Sequence, residues 1–519
     1  MAVALAACQA EPQVGIIGSV EGFAGAVAAD EPRAATVARD VLGANGSAVD
    51  AAVALYFALA VTLPSSAGLG GGGVCLVQDP ESKKVEALDF LPRAAAGGRV
   101  AVPGNARGMA ALHARYGRMR WEQLLAPAEE LARFGTPMSR ALAREVATAK
   151  DIIKADPGLA QIFIGANGAL LDEGDPLQQT QLASIIAQVR QKGAGEIYVG
   201  SIARTLSDAA QAMGAPLTMD DLRGTVPQWR ETVQVPIGHH ILHLAPPPAA
   251  AGVIEAQLIV ALSAVENYAG TSGAERAHLM AEASMRVLAA RSGWMGPDGS
   301  SSVAPAELVA EAHVGELMRG YDAARATPAA DVGAAAEPKA ENVWATSFVV
   351  ADRDGQAVAC NVTMNALFGA GRIATGTGIV LAVAPGRPGR DSLWLGPALL
   401  VNPNNFGFFY AAAASGGPTA ATAMASVALD VIEGDRSLAS AIEARRVHHN
   451  AAPDAVYYES GEDVGVLADL KARGHTLEEA GVLGRVQAIW CPTSIQNDPE
   501  KCQVSTDPRA DGLALVLSE

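Results

Sequence analysis

A hydroxyl residue that opens a strand directly after a long aperiodic loop can carry out one distinctive piece of chemistry. If the chain cuts itself there, the freed residue attacks with its side chain and uses its own α-amino group as base. Thr346 stands in such a place. Before it runs Ala323–Ala340, AARATPAADVGAAAEPKA, small, punctuated by proline and without periodicity. After it come two runs, Thr346–Asp352 and Ala357–Thr363, rich in Val and Phe and joined by a turn at 353–356, which read as a core hairpin. A mobile loop is thus expected to feed straight into a buried strand. The blander reading of Thr346 is a β-branched residue that simply starts that strand.

Other reactive groups are weaker candidates. His239, His240 and His243 lie in an extended segment before a proline run, where alternation sends His240 to the face opposite the other two, so no metal is expected. Gly68–Gly73, GLGGGG, satisfies a GxGxxG pattern, but a helix precedes it and the strand Val74–Gln78 follows. That is the reverse of the dinucleotide-binding order, so no nucleotide cofactor is expected. Cys491 and Cys502 bracket a polar loop and are expected to pair in an oxidising compartment. Cys75 and Cys360 each sit in an apolar strand, where buried free thiols are expected and a cross-strand disulfide is the lesser alternative.

The elements that must position these groups are legible. Ala35–Leu59 reads as a helical run ending near Leu42, a Gly/Asn break, then an apolar helix with Ser47 as N-cap and Asp50 at N3. With 519 residues, half of them hydrophobic and 18% charged, the chain can bury a large core. The formal charge of −17 and the lack of a Lys/Arg cluster argue against a nucleic-acid partner.

Longer stretches of the chain carry a resemblance. Ala345-Thr346-Ser347-Phe348-Val349-Val350-Ala351-Asp352-Arg353-Asp354-Gly355, then Thr363-Met364-Asn365 and Phe368-Gly369-Ala370-Gly371, resemble the opening of the second subunit of the γ-glutamyltranspeptidase family. Asn45–Ala54, Pro64 with Gly68–Gly73, Val85–Phe90, Val102-Pro103-Gly104 and Ser415-Gly416-Gly417-Pro418 match further motifs of that family, in order and over the whole chain after residue 33. The resemblance implies an α/β (α+β) protein with the four-layer αββα sandwich of the N-terminal-nucleophile hydrolases. It implies a lead-in at 1–33, a large-subunit-like region at 34–321, a flexible pre-cleavage loop at 322–344 and a small-subunit-like region at 345–519. Thr363 would bond the nucleophile, Asn365 the substrate, and the N–H groups of Gly416 and Gly417 would form the oxyanion hole.

The same alignment exposes losses. The family's nucleophilic threonine falls on Ala345, whose methyl group cannot attack a carbonyl. A cut one residue later would free Thr346, but a one-residue slip turns a side chain to the other face unless a bulge restores the phase. The arginine that grips the substrate carboxylate falls on Leu91, with Arg93 two residues on as a possible substitute. The aspartate that pairs with the substrate ammonium falls on Arg387, and the paired serines fall on Leu393 and Trp394. Each lost contact to a desolvated charge is worth about 2–5 kcal/mol, so γ-glutamyl recognition as the family performs it is expected to be absent. Two readings follow. One is an uncleaved, catalytically impaired homologue serving as a binding or scaffold module with an envelope protein partner. The other is an amide hydrolase or acyltransferase cut before Thr346, acting on a small-molecule γ-glutamyl-like or other acyl-amide substrate.

At the N-terminus, Leu5-Ala6-Ala7-Cys8 resembles a bacterial lipobox, although the apolar run is short and no cationic region precedes it. The expectation is a periplasmic protein, lipid-anchored at Cys8 to the outer membrane and touching the membrane in no other way. The alternative is a disordered, Ala-rich terminus.

Overall fold

The computed structural model describes residues 22–265, 268–335, 341–386, 389–390, 393–434 and 436–518. In chain order its main elements begin with β1 (Phe23–Ala29), α1 (Pro32–Gly43), α2 (Ala48–Thr62), β2 (Gly72–Asp79) and β3 (Lys84–Phe90). Next come β4 (Gln228–Arg230), β5 (Val233–Ile237), β6 (His240–Leu244), α3 (Ala251–Ser263), α4 (Gly273–Ala290), β7 (Thr346–Asp352) and β8 (Ala357–Thr363). The last third adds β9 (Ala398–Val401), β10 (Phe408–Ser415), α5 (Pro418–Ile432), α6 (Val464–Ala472), β11 (Arg485–Trp490), β12 (Gln503–Thr506) and β13 (Leu513–Ser518).

These strands form two antiparallel sheets. The first has the order β13-β1-β7-β8-β2-β3-β4, the second β12-β11-β10-β9-β6-β5. Along β7, Phe348 and Val350 join the core shared with α1 and α2, whereas Val349 and Ala351 join a second core of Leu399, Phe408, Ala411 and Ile489 from the other sheet. Helices α3, α4 and α5 close the outer face of that second sheet. The layers are helix, sheet, sheet, helix, as expected. Because both faces of β7 are covered, all seven of its residues are buried, which explains the near-continuous apolar run.

The central hairpin spans the two runs read from the sequence, and its turn is bolted to the N-terminus of α2. Asp352 Oδ2 accepts the Ala48 N–H at 2.9 Å and Gln356 Oε1 accepts the Val49 N–H at 3.0 Å. Ser47 and Asp50 form the expected capping box. Asp50 does more than cap: its carboxylate also accepts the Arg118 and Met119 N–H groups at 3.0 and 3.1 Å. The glycine run Gly70–Gly73 exists for packing, since a Cβ at these positions would collide with the carbonyl oxygens of Val380, Thr363, Phe90 and Asn361 in turn.

One expectation is corrected. Cys75 and Cys360 are not free thiols but a disulfide, because β2 and β8 are neighbours whose register sets these two residues directly opposite each other. Cys491 and Cys502 form a second disulfide.

Asp50→Ala would leave the Ser47, Arg118 and Met119 N–H groups without an acceptor in a buried setting. A loss of about 3 kcal/mol or more of stability is expected, read as a lower denaturant midpoint at unchanged slope.

Candidate functional site

The entry to β7 fixes what can react. Pairing of β7 with β8 runs without a register shift from Thr346↔Val362 to Ala351↔Ala357, so no bulge resets the phase. Thr346 therefore lies on the helical side with Phe348 and Val350. The Ala345 methyl packs on the apolar cluster of Val74, Leu91, Ala245, Ala249 and Leu395. Thr346 is buried, and its hydroxyl donates to Asp30 Oδ2 at 2.9 Å. The same oxygen accepts the Ser347 N–H at 2.8 Å and hydroxyl at 3.1 Å, while Gln487 Nε2 donates to Oδ1 at 2.7 Å. Burial nonetheless pushes the Asp30 carboxyl above its ordinary range, partly opposed by the positive field of Arg485. A cavity of about 170 Å³, lined by Asp30, Glu145, Arg144, Arg485, Ala345 and Thr346, opens here.

The remaining candidates gather around the segment just upstream. Thr363 donates its hydroxyl to the Trp344 carbonyl at 2.6 Å, and its oxygen accepts the Asn365 N–H at 3.0 Å. Asn365, with φ of 61°, donates Nδ2 to the Val383 carbonyl at 3.0 Å. Gly416 and Gly417 have φ of 132° and 67°, a turn open only to glycine at low cost, at the start of α5. A Cβ on Gly417 would come within 3.0 Å of the Asn342 carbonyl oxygen. Trp394, at a position of the family's serines, donates Nε1 to Glu341 Oε2 at 2.9 Å. Arg291 forms an ion pair with Glu341 and lies 5.0 Å from the centre of the Trp394 ring. Residues 341–345 are thus held from three sides.

Other positions do not converge. Arg93 pairs with Asp89 at 2.7 Å, a carboxylate it shares with Arg230, and lines a separate groove with Arg107. His243 is bonded to Thr232 at 2.7 Å, and His240 packs on the Phe409 ring. Arg387 and Cys8 lie outside the described residues. Beside the Asn365–Val383 contact is a pocket of about 350 Å³ lined by Arg99, Arg372 and Arg390, with Val383, Leu381 and Met213. None of these arginines pairs with a carboxylate among the described residues. Asp30 and Glu341 were not singled out from sequence; only the charge of each was visible there, not its partner.

A model of the family described as Gamma-glutamyltranspeptidase matches residues 34–385 and 382–517. The chain belongs to the γ-glutamyltranspeptidase family. A glutathione hydrolase proenzyme of Pseudomonas aeruginosa is 28% identical over 95% of this chain and 94% of its own length. Glutathione hydrolase 3 of Arabidopsis thaliana is 29% identical over 91% and 81%. Among solved structures, a cephalosporin acylase from Bacillus halodurans superposes with a TM-score of 0.81 over 99% of both chains at 22% identity, a likeness of fold. The γ-glutamyltranspeptidase of Helicobacter pylori, 26% identical, gives 0.56 over 60% of this chain and 95% of its own. The matched range of this γ-glutamyltranspeptidase-family chain includes Thr363, Asn365, Gly416 and Gly417. Ala345 packs against the apolar cluster to which Leu91 belongs.

Two histidines make stability acid-sensitive. Burial pushes the His243 and His448 imidazoles down to about 4 and about 3. The unfolded chain takes up these protons first, near pH 6.5. Stability is therefore full above pH 6.5 and falls, by about 1.4 kcal/mol per pH unit and per group, as the pH drops toward 4. Urea midpoints at pH 7 and pH 5 should differ accordingly, and less so in a His243→Gln variant.

Proposed function

We propose that this chain is an uncleaved, catalytically impaired member of its family, retained as a binding or scaffold module and tethered at the bacterial envelope through Cys8. The observation that carries the reading is the surroundings of Ala345. Where the family needs a hydroxyl, this chain sets a methyl group packed against the apolar cluster that contains Leu91 and Leu395. Replacing polar groups by apolar ones on both sides of a contact leaves a well-packed surface rather than a crippled site. The clamp of Arg291 and Trp394 on Glu341 supports continuity of the chain across 344–345. For the binding role, the arginine-lined pocket beside Asn365 offers three guanidinium groups suited to an anionic ligand. An envelope protein partner remains part of the proposal, with no particular surface assigned to it.

A second reading is favoured by one contact. The Thr346 hydroxyl is bonded to Asp30, a carboxyl whose raised proton affinity suits a base. If that carboxylate takes the hydroxyl proton while the oxygen attacks the Ala345 carbonyl, the amide gives way to an ester as the proton passes to the freed amine. Water then hydrolyses the ester, leaving a carboxylate on Ala345 and an amino-terminal Thr346 that acts as an amide hydrolase or acyltransferase. Its substrate would be a γ-glutamyl-like amide such as glutathione, or another acyl amide.

The deciding experiment is reducing, denaturing electrophoresis with intact mass on freshly purified and on incubated protein. A single species at full mass is expected throughout. A smaller fragment beginning at Thr346 overturns the first reading in favour of the second. Restoring the family residue with Ala345→Thr is expected to yield no measurable γ-glutamyl p-nitroanilide turnover, because Leu91, Leu393 and Trp394 still lack the charges and hydroxyls that bind the substrate. Turnover by that variant would mean that nucleophile loss alone had silenced the site.

A further inference from the structure

Far from Ala345, α4 carries His278 and Glu282 one turn apart on a single face, both fully buried. His475, in the turn between α6 and the strand Leu477–Ala480, reaches toward them and is partly buried. One ligand atom from each of the three lies within 4.8 Å of the other two. His278 Nδ1 and His475 Nε2 are 2.7 Å apart. His278 Nε2 lies 3.0 Å from the Asp322 carbonyl, which can only accept, so this nitrogen carries the proton and Nδ1 presents a lone pair.

We propose that His278, Glu282 and His475 form a transition-metal site of the kind zinc prefers. Two imidazoles and a carboxylate are a donor set that zinc takes readily, with a fourth position for water. A backbone carbonyl holding the far nitrogen of His278 is the outer-shell arrangement that orients a ligating histidine. Glu282 Oε1 is occupied by the Thr327 N–H at 2.9 Å. Its Oε2 accepts no hydrogen bond although it is buried, and neither Nε nor Nη1 of Arg286, 3.2 Å from that oxygen at its nearest, donates one. That oxygen is held only by the ion pair with Arg286, with no aligned hydrogen bond, and a metal cation bound to it would take over that role. Loading requires that the two imidazoles part from 2.7 Å to about 3.3 Å, the separation of two nitrogens on tetrahedral zinc. The proton between them passes from His475 Nε2 to Nδ1 of the same ring, freeing a lone pair for the metal, and Arg286 gives up its contact with Oε2 while keeping its 3.0 Å bond to Thr327 Oγ1.

The location gives the site a use. Asp322 and Thr327 belong to the segment that leads toward Ala345, and Arg473 accepts the Ala326 N–H on its carbonyl at 2.7 Å. An ion here would fasten that segment to α4 on one side and to the 473–475 turn on the other. The proposal does not depend on whether the chain is cut.

The test uses full-length, tag-free protein stripped by a chelator and then dialysed against ZnCl2 or CoCl2. About one equivalent of zinc per chain is expected to survive desalting, with a melting temperature a few degrees higher. The cobalt form should show the strong visible bands of a four-coordinate ion. His475→Gln should lose that equivalent and those bands, whereas a His239→Ala/His240→Ala variant should keep both. Wild-type protein that retains no stoichiometric metal, or a His475→Gln variant that binds as wild type does, overturns the proposal. Should His475→Gln fail to fold, anomalous diffraction at the zinc edge from wild-type crystals decides. A peak between the three side chains supports the site, and a peak elsewhere or none overturns it.

Discussion

A strand buried on both faces admits only one phase. Val349 and Ala351 fill the space between the sheets while Phe348 and Val350 fill the space beneath the helices. A shift of β7 by one residue would drive Thr346 and Ser347 into apolar surroundings and strip Asp30 of its donors. The position of every group near the strand's entry follows from this. Thr346 shares the side of Phe348 and Val350, and its hydroxyl meets Asp30 there. The polar ends of the hairpin reinforce the choice, since Asp352 and Gln356 can cap α2 only in this register.

Given that phase, several polar residues around the entry to β7 are engaged with backbone groups. Thr363 holds the Trp344 carbonyl, Asn365 holds that of Val383, and the Gly416-Gly417 turn lies against Asn342. These contacts give the four residues a structural role at the entry to β7. They also make the chain upstream of Ala345 part of the folded body, through Glu341, Arg291 and Trp394. Apolar packing by the cluster of Leu91 and Leu395 and ionic fastening at Glu341 thus act on the same short stretch.

Much of this was legible in the sequence. The hairpin limits, the Ser47/Asp50 cap and the layered fold were readable because each is encoded within a few neighbouring residues or in a motif running the length of the chain. What escaped was pairing over distance. Asp30 meets Thr346 across 316 positions, and nothing local marks it out from other acidic residues. Cys75 and Cys360 were read as thiols because strand adjacency is not visible until β2 and β8 are known to be neighbours. The contact between Glu282 and the two histidines was hidden for the same reason: His475 is nearly 200 positions away from His278.

The Cys75–Cys360 bridge joins positions 285 residues apart, one on each side of Ala345. A backbone break anywhere between them would produce two polypeptides still tied by sulfur within the core of the first sheet. In an oxidising compartment such a break would not be a parting: the pieces would migrate, diffuse and unfold as one molecule. Only where thiols are kept reduced could the two halves separate, so the redox state of its surroundings determines whether this chain can ever be dismantled by a single cut.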